Sequence, residues 1–181
     1  MAAWRSWRAA RDELFRTHPQ SPLPPERRES FAGVTFYPYD PAARVEGVVS
    51  PAAAERLELA GSAGSRTPFI RVGRTTFELG GDELSLDLYW LDAYGGGLFL
   101  PFRDGSNGRV TYGGGRYLLD TVKGADLGGA GDRLLLDFNF AYNPSCSYDP
   151  RWACPLPPPA NRLAVAIKAG EQHLPQSTGD R

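Results

Sequence analysis

The sequence predicts a mainly β fold, a single domain shaped as an antiparallel β-barrel or β-sandwich and preceded by one N-terminal α-helix. From residue 31 onward apolar and polar residues alternate, in about nine or ten short segments that turn signals separate. Helical patterns between these segments are missing, which disfavours a parallel α/β sheet. Gly (21) and Pro (16) are frequent among the 181 residues, as expected of a chain rich in turns.

The composition disfavours several classes of protein. A hydrophobic fraction of 41% and an aromatic fraction of 12% are enough for a packed core. The chain has no run of about 18 apolar residues, so no membrane association is expected, and a net charge of −1 disfavours nucleic acid as a partner. The N-terminus lacks the apolar region of a secretory signal, which predicts a cytoplasmic protein.

Four segments are predicted along the chain. Residues 1–18 form an amphipathic helix, residues 19–30 a Pro-rich extended connector, residues 31–171 the single β domain and residues 172–181 a flexible tail. The helix is expected to pack on its own sheet or, in a homodimer, on the sheet of a second copy. One side of the helix carries Trp4, Trp7, Arg11, Leu14 and Phe15.

Strand boundaries within the β domain follow the period-two pattern and the turn residues. Residues 67–80 are predicted to form a hairpin that turns at residues 72–74, and residues 123–132 to form a flexible loop. The other predicted strands are residues 31–39, 83–91, 97–103, 109–112, 116–120, 133–140 and 162–169, with a further one around residues 57–59.

The strand at residues 133–140 carries the first candidate site. Asp137 and Asn139 share one face of this apolar strand, and Tyr142 and Asn143 follow in a polar, turn-rich segment. A carboxylate and an amide in such a strand lie either on a solvated outer face or in an interior where they need hydrogen-bond partners or a ligand. Both a structural turn and a ligand site agree with this pattern.

A second candidate is Arg116, which follows three consecutive glycines at residues 113–115. Glycine allows close backbone approach, so Arg116 is expected either to bind an anion such as a carboxylate or to pair with an internal aspartate, Asp104 or Asp137. Glu171, at the end of the last predicted strand, is a second carboxylate of the site or a surface charge. Phosphate-loop, dinucleotide-binding and nucleophile-elbow motifs are missing.

The two cysteines, Cys146 and Cys154, leave alternatives open. Zinc needs about four ligands, and the two histidines, His18 and His173, fall in segments expected to be peripheral. A catalytic thiol is disfavoured because no histidine is local in sequence. A disulfide and a pair of buried thiols remain as the alternatives. No metal and no cofactor are therefore predicted.

The ordered series of motifs resembles the prokaryotic family called domain of unknown function 1684. Two departures from the family pattern are Ser106, where threonine is frequent, and Ala160, where glutamate is usual. The resemblance spans nearly the whole chain and rests on Pro101-Phe102-x-Asp104, Thr111-Tyr112-Gly113-x-Gly115-Arg116-Tyr117-Leu118, Asp137-Phe138-Asn139-x-Ala141-Tyr142-Asn143-Pro144-x-Cys146, Cys154-Pro155-Leu156-Pro157-Pro158, Asn161-x-Leu163 and Ala169-Gly170-Glu171.

The resemblance implies no activity, but it implies that the motif-bearing segments form one common feature. It therefore strengthens the polar residues of these segments as site candidates. Members elsewhere look exported, which keeps the disulfide alternative open.

Two functions agree with these residues. The first is a small-molecule-binding β domain and cofactor-independent enzyme of the hydrolysis, isomerisation or cyclisation class, with catalytic candidates Arg116, Asp137 and Tyr142. The second is a non-catalytic structural or binding module in which the same polar cluster stabilises the fold. The residues predicted to contact the ligand are Tyr112, Tyr117, Asn139, Asn143 and Glu171.

Overall fold

A computed structural model describes residues 1–91, 96–121 and 128–173, and one antiparallel sheet dominates it. Two helices precede the sheet, α1 (Ala2–Thr17) and α2 (Pro25–Arg28). Seven strands form it in the order β5-β4-β3-β2-β1-β7-β6. They are β1 (Arg44–Ala60), β2 (Arg66–Leu79), β3 (Asp82–Trp90), β4 (Leu98–Phe102), β5 (Arg116–Asp120), β6 (Gly129–Ala130) and β7 (Arg133–Asp137).

The predicted class, mainly β and antiparallel with an N-terminal helix, is confirmed. Within the described residues the sheet is open, with β5 and β6 at its two edges, and it has fewer strands than the alternation predicts. Parts of the predicted loop and tail, residues 122–127 and 174–181, lie outside the described residues. None of the described helices has the length and apolar character needed to cross a membrane.

The hairpin predicted within residues 67–80 is wrong, because β2 runs straight through that segment. The pairing of β2 with β3 shifts between Arg71 and Gly73, which is a β-bulge. A glycine in a strand marks a bulge as readily as a turn, and the extra residue reverses which face the following side chains occupy. Phe69, before the bulge, and Phe77, after it, accordingly belong to different core clusters.

Two core clusters therefore form on the same sheet. The first is mostly aliphatic and includes Leu86, Leu88 and Leu136. The second is mainly aromatic and joins Leu59 to aromatic rings from four strands and from the segment after β7. Those rings are Phe69, Tyr89, Phe99, Tyr117 and Tyr142.

Several predicted strands are irregular segments in the structure. The strand at residues 133–140 ends at Asp137, whose carboxylate accepts from the Asn139 N–H and starts a single 3₁₀ turn. Residues 162–169 make only an isolated bridge, between Arg162 and Arg103. Further along, the carbonyls of Ile167 and Ala169 accept from the Arg116 side chain. Residues 31–39 and 109–112 make only isolated bridges. The connector, predicted to be extended, contains α2.

Helix α1 packs on irregular segments of its own chain. Trp4 and Phe15 are buried in a third cluster with Leu23, Val34 and Phe36, and the Trp4 indole N–H donates to the Asn139 carbonyl at 2.9 Å. The expectation that Leu14 shares the buried side is wrong, since its side chain is 41% exposed. The aromatic residues and Arg11 make the contacts that hold the helix in place.

Gly170 is a position where the fold requires glycine. Its φ is +80°, and an added Cβ would lie 2.6 Å from the Ala141 carbonyl oxygen and 2.7 Å from that of Phe138. Gly80 is a matched control, because its φ of +65° imposes a similar strain while its Cβ would meet nothing within 4 Å.

We expect Gly170→Ala to lower the free energy of unfolding by about 3 kcal/mol or more, and Gly80→Ala by about 1 kcal/mol. Urea denaturation of the two variants measures the difference. Equal losses would show that backbone strain alone, and not the close approach of residues 138–141, makes glycine necessary at position 170.

Candidate functional site

Arg116 lies at the start of β5 with its side chain completely buried. Its Nη2 donates to Asp104 Oδ2 at 2.6 Å and to the Ile167 carbonyl at 3.0 Å, and its Nη1 donates to the Ala169 carbonyl. Of the two roles the sequence left open, this geometry matches pairing with an internal aspartate, Asp104. Removing one partner of such a buried pair leaves the other charge uncompensated, so both residues hold the fold together.

Asp137 and Asn139 form a second buried set. Asp137 Oδ1 accepts from the backbone N–H and from Nδ2 of Asn139, at 3.0 and 2.8 Å. Asn139 in turn exchanges two hydrogen bonds with the backbone of Asp40, at 2.7 and 2.8 Å. The pair therefore ties the end of β7 to the turn that precedes β1. Asp137 Oδ2 is buried with no hydrogen-bond partner among the described residues.

Glu171 and Asn143 form a third set beneath helix α1. Glu171 is fully buried, and its Oε2 accepts from Arg11 Nε at 3.0 Å and from the Asn143 N–H at 3.2 Å. Burial raises the pKa of Glu171, and the charge of Arg11 opposes this shift. Glu171 is thus an internal carboxylate that docks the helix, and the surface alternative is wrong for this residue.

Tyr117 and Tyr142 pack against each other with ring centroids 5.6 Å apart. The Tyr117 hydroxyl donates to the Pro155 carbonyl at 2.6 Å, and the Tyr142 hydroxyl donates to Asp120 Oδ2 at 3.2 Å. Burial raises the pKa of both phenols far above their usual value, so both stay protonated.

Seven of the eight residues predicted for the site are therefore buried and hydrogen-bonded to protein groups. Some of them are adjacent: Tyr117 and Tyr142 are bridged, and Arg116 reaches the Glu171 carbonyl at 3.4 Å. Their roles in ligand binding and catalysis stay predictions. The eighth residue, Tyr112, is half-buried and has different surroundings.

Tyr112 lies against the two cysteines. Its hydroxyl is 3.7 Å from Cys146 Sγ, and the Cys146 N–H donates to Cys154 Sγ at 3.3 Å. Hydrogen bonds, the largest of them with the Cys154 side chain, lower the pKa of Cys146 to about 6. Burial, together with the hydrogen bond to Cys146, raises the pKa of Tyr112 to about 12. Neither cysteine is in a disulfide in the structure, and Cys146 is half-buried whereas Cys154 is buried.

Short backbone segments position these groups. Cys146 occupies a single 3₁₀ turn after Pro144. Cys154 is held by Ser62, whose Oγ accepts from the Cys154 N–H and whose N–H donates to the Cys154 carbonyl, both at 2.9 Å. The Tyr112 carbonyl accepts from Asn107 Nδ2 at 2.8 Å. A different backbone segment therefore carries each of the three residues of the Tyr112–Cys146–Cys154 site.

Two residues beside Tyr112 were missed by the sequence reasoning. The expectation that His173 is peripheral is wrong, since its ring lies 5.4 Å from the Tyr112 ring and its N–H donates to the Val110 carbonyl at 2.7 Å. Burial lowers the pKa of His173, which favours the neutral imidazole. Arg103 lies near enough for its charge to act on the Tyr112 phenol.

Arg103 also has unused donor capacity, because its Nε is buried without a hydrogen-bond partner among the described residues. Its position was visible in the sequence as the unassigned residue of the motif Pro101-Phe102-x-Asp104. His173 had a weaker signal, since it follows Glu171 by two residues. Neither was assigned to the site, because their distance along the sequence hides their proximity to Tyr112.

A groove of about 540 Å³ lies elsewhere, on the β1–β3 part of the sheet, and Glu46, Glu78 and Glu83 line it with apolar residues. None of the eight predicted site residues lines this groove. Among the described residues, no group of three or more His, Cys, Asp or Glu side chains is arranged to hold a metal ion. The Tyr112–Cys146–Cys154 site is therefore the candidate with distinctive chemistry.

Gly114 leaves room for the Tyr112 ring, since an added Cβ would overlap that ring and lie 2.9 Å from its Cζ. At Gly113 the nearest atom to an added Cβ is 3.7 Å away, an ordinary contact.

We expect Gly114→Ala to displace Tyr112 and to raise the pKa of Cys146 towards its usual value, with Gly113→Ala as the unchanged control. The pH dependence of thiol alkylation measures both, and equal profiles in the two variants would contradict this placement of Tyr112.

Comparison with known proteins places the chain in a family. It is similar to an uncharacterized protein from Haloarcula marismortui with a solution NMR structure, at 34% sequence identity and a TM-score of 0.68. The similarity covers 94% of this chain and 92% of that chain. A search of curated proteins finds no match. The family model described as "Protein of unknown function (DUF1684)" matches residues 29–172, as the ordered motifs predict, and the chain therefore belongs to the DUF1684 family.

Proposed function

We propose that the protein is a small-molecule-binding β domain whose ligand lies against Tyr112 and the Cys146 thiol, with Arg103 binding an anionic group of the ligand. One observation carries the proposal: a half-buried thiol of lowered pKa contacts a half-buried tyrosine hydroxyl. Strongly shifted pKa values cluster at functional sites, because the same burial and hydrogen bonding that shift them also prepare a group for reaction. Arg103 supports the proposal through its unpartnered, buried Nε.

The chemistry of this site is nucleophilic. With a pKa of about 6, Cys146 is about nine-tenths thiolate at pH 7, and the thiolate is the reactive form. Tyr112, protonated at that pH, is a hydrogen-bond donor for the thiolate or for a developing oxyanion. A neutral His173 nearby can exchange protons with a ligand. Among the cofactor-independent reactions predicted from the sequence, hydrolysis through a covalent thioester suits these groups best.

The seven buried residues support this site instead of contacting the ligand. Arg116, Asp137 and Glu171 each bond to protein groups in the fold's interior. This observation favours the non-catalytic role for that part of the predicted cluster. The buried residues then have the structural role that the sequence left open, and the ligand-binding role falls to Tyr112, Cys146 and Arg103 of the same domain.

The thiolate state of Cys146 has a direct pH signature. We expect its alkylation rate with iodoacetamide to have its midpoint near pH 6, whereas the usual thiol value is about 8.5. Tyr112→Phe removes a hydrogen bond to the thiolate and should move the midpoint to higher pH, while Tyr37→Phe should leave it unchanged. Peptide mapping after timed alkylation follows Cys146 alone, and a midpoint above about pH 8 in the wild type would contradict the proposal.

Charge selectivity tests Arg103. Iodoacetate carries a carboxylate and iodoacetamide does not, so a cation at the site favours the first reagent. We expect Arg103→Gln to lower the iodoacetate-to-iodoacetamide rate ratio at Cys146 by about tenfold, which corresponds to about 1.4 kcal/mol. Arg109→Gln makes the same change of charge at an exposed position and should leave the ratio within about twofold of the wild type. Equal ratios in all three proteins would overturn the assignment of Arg103.

A further inference from the structure

We propose that Cys146 and Cys154 form a redox-active dithiol, in which Cys146 reduces a hydroperoxide and Cys154 then closes a disulfide. The proposal shares the Cys146 thiol with the proposed function, but it does not depend on the binding of an anionic ligand.

The geometry brings the Cys154 sulfur to the backbone of Cys146. Cys154 Sγ accepts from the Cys146 N–H at 3.3 Å, so it lies directly over the turn that carries Cys146. Hydrogen bonding with the Cys154 side chain is also the largest cause of the lowered pKa of Cys146. Ser62 holds the Cys154 backbone from both sides. The proposed disulfide forms by rotation of the two cysteine side chains.

The two thiols differ in the way that an attacking and a resolving cysteine differ. Cys146 is half-buried, so a small peroxide reaches it, and its thiolate is stabilised by Cys154, Ser62 and Tyr112. Cys154 is only 9% exposed. Reactive cysteines are exposed thiolates and frequently lie next to a resolving cysteine. The asymmetry therefore assigns the first step to Cys146.

The reaction balances with the hydroperoxide as the only oxidant. The Cys146 thiolate attacks the terminal peroxide oxygen, the O–O bond breaks, and the leaving alkoxide or hydroxide takes up a proton. Cys146 is then a sulfenic acid. The Cys154 sulfur attacks the Cys146 sulfur, the S–O bond breaks, and hydroxide leaves with the Cys154 proton as water. The two thiols lose two electrons and two protons in total, and an external thiol restores them by exchange.

The test uses the folded, reduced protein with one equivalent of hydrogen peroxide, followed by intact-mass analysis. We expect the wild type to lose the mass of two hydrogens, to give a Cys146–Cys154 cross-linked peptide and to regain its mass with dithiothreitol. Cys154→Ser should stop at the sulfenic acid, which dimedone traps at residue 146. Cys146→Ser should form neither product.

The rate distinguishes a prepared site from an ordinary thiol. At pH 6 a larger fraction of Cys146 is thiolate in the folded protein than in the unfolded chain, although a thiolate of lower pKa is a weaker nucleophile. We therefore expect hydrogen peroxide to oxidise Cys146 about tenfold faster in the folded protein than in the same chain unfolded in urea. Rates that agree within twofold would overturn the proposal.

Other outcomes are equally decisive. The resolving role of Cys154 would be overturned if the disulfides formed between two chains. It would also be overturned if the wild type were oxidised to sulfinic acid as fast as the Cys154→Ser variant is. Should Cys154→Ser fail to fold, the cross-linked peptide of the wild type and its rate still decide. A protein that closes the disulfide but shows no preference for iodoacetate would contradict the proposed ligand site and leave the dithiol intact.

Discussion

The buried charge of Arg116 is the constraint on which much of the rest of the structure depends. A guanidinium with no solvent exposure needs a compensating carboxylate and hydrogen-bond acceptors. Asp104 and the carbonyls of residues 167–171 accept from its Nη1 and Nη2, while its Nε has no partner among the described residues. The C-terminal segment therefore runs across the end of β5 in an irregular conformation, with its carbonyls turned inward. In this conformation Gly170 packs closely against the carbonyls of residues 138–141, and Glu171 lies beneath helix α1, where it accepts from Arg11.

Polar groups elsewhere in the interior follow the same principle. Asp137 and Asn139 join the end of β7 to the segment before β1, and the Arg11–Glu171 pair holds the N-terminal helix on the β domain. Each set links segments far apart in sequence, because buried polar atoms are stable only where another part of the chain completes their hydrogen bonds. The interior polar residues therefore organise the tertiary structure, and the Tyr112–Cys146–Cys154 site is left partly open beside them.

The sequence reasoning succeeded where local patterns decide the structure. Alternation located β3, β4 and β5 to within a few residues, and the spacing of Trp4 and Phe15 located the helix and its buried side. It failed at Gly73, because a glycine between two alternating runs is compatible with a bulge and with a turn. It also failed for residues 162–169, whose alternation resembles a strand although the carbonyls of Ile167 and Ala169 bond to the Arg116 side chain. His173 was expected to be peripheral and Arg103 was left unassigned, because their proximity to Tyr112 arises only after folding.

By itself the sequence determined the mainly β class, the N-terminal helix, the family and the segments that carry the unusual polar residues. These follow from periodicity and from ordered motifs, which are properties of neighbours along the chain. Only the tertiary structure decided that Arg116 pairs with Asp104, that Glu171 docks a helix and that Cys146 lies between Cys154 and Tyr112. The physical reason is that the burial of a charge and the pKa of a thiol depend on groups that folding brings together from distant parts of the chain.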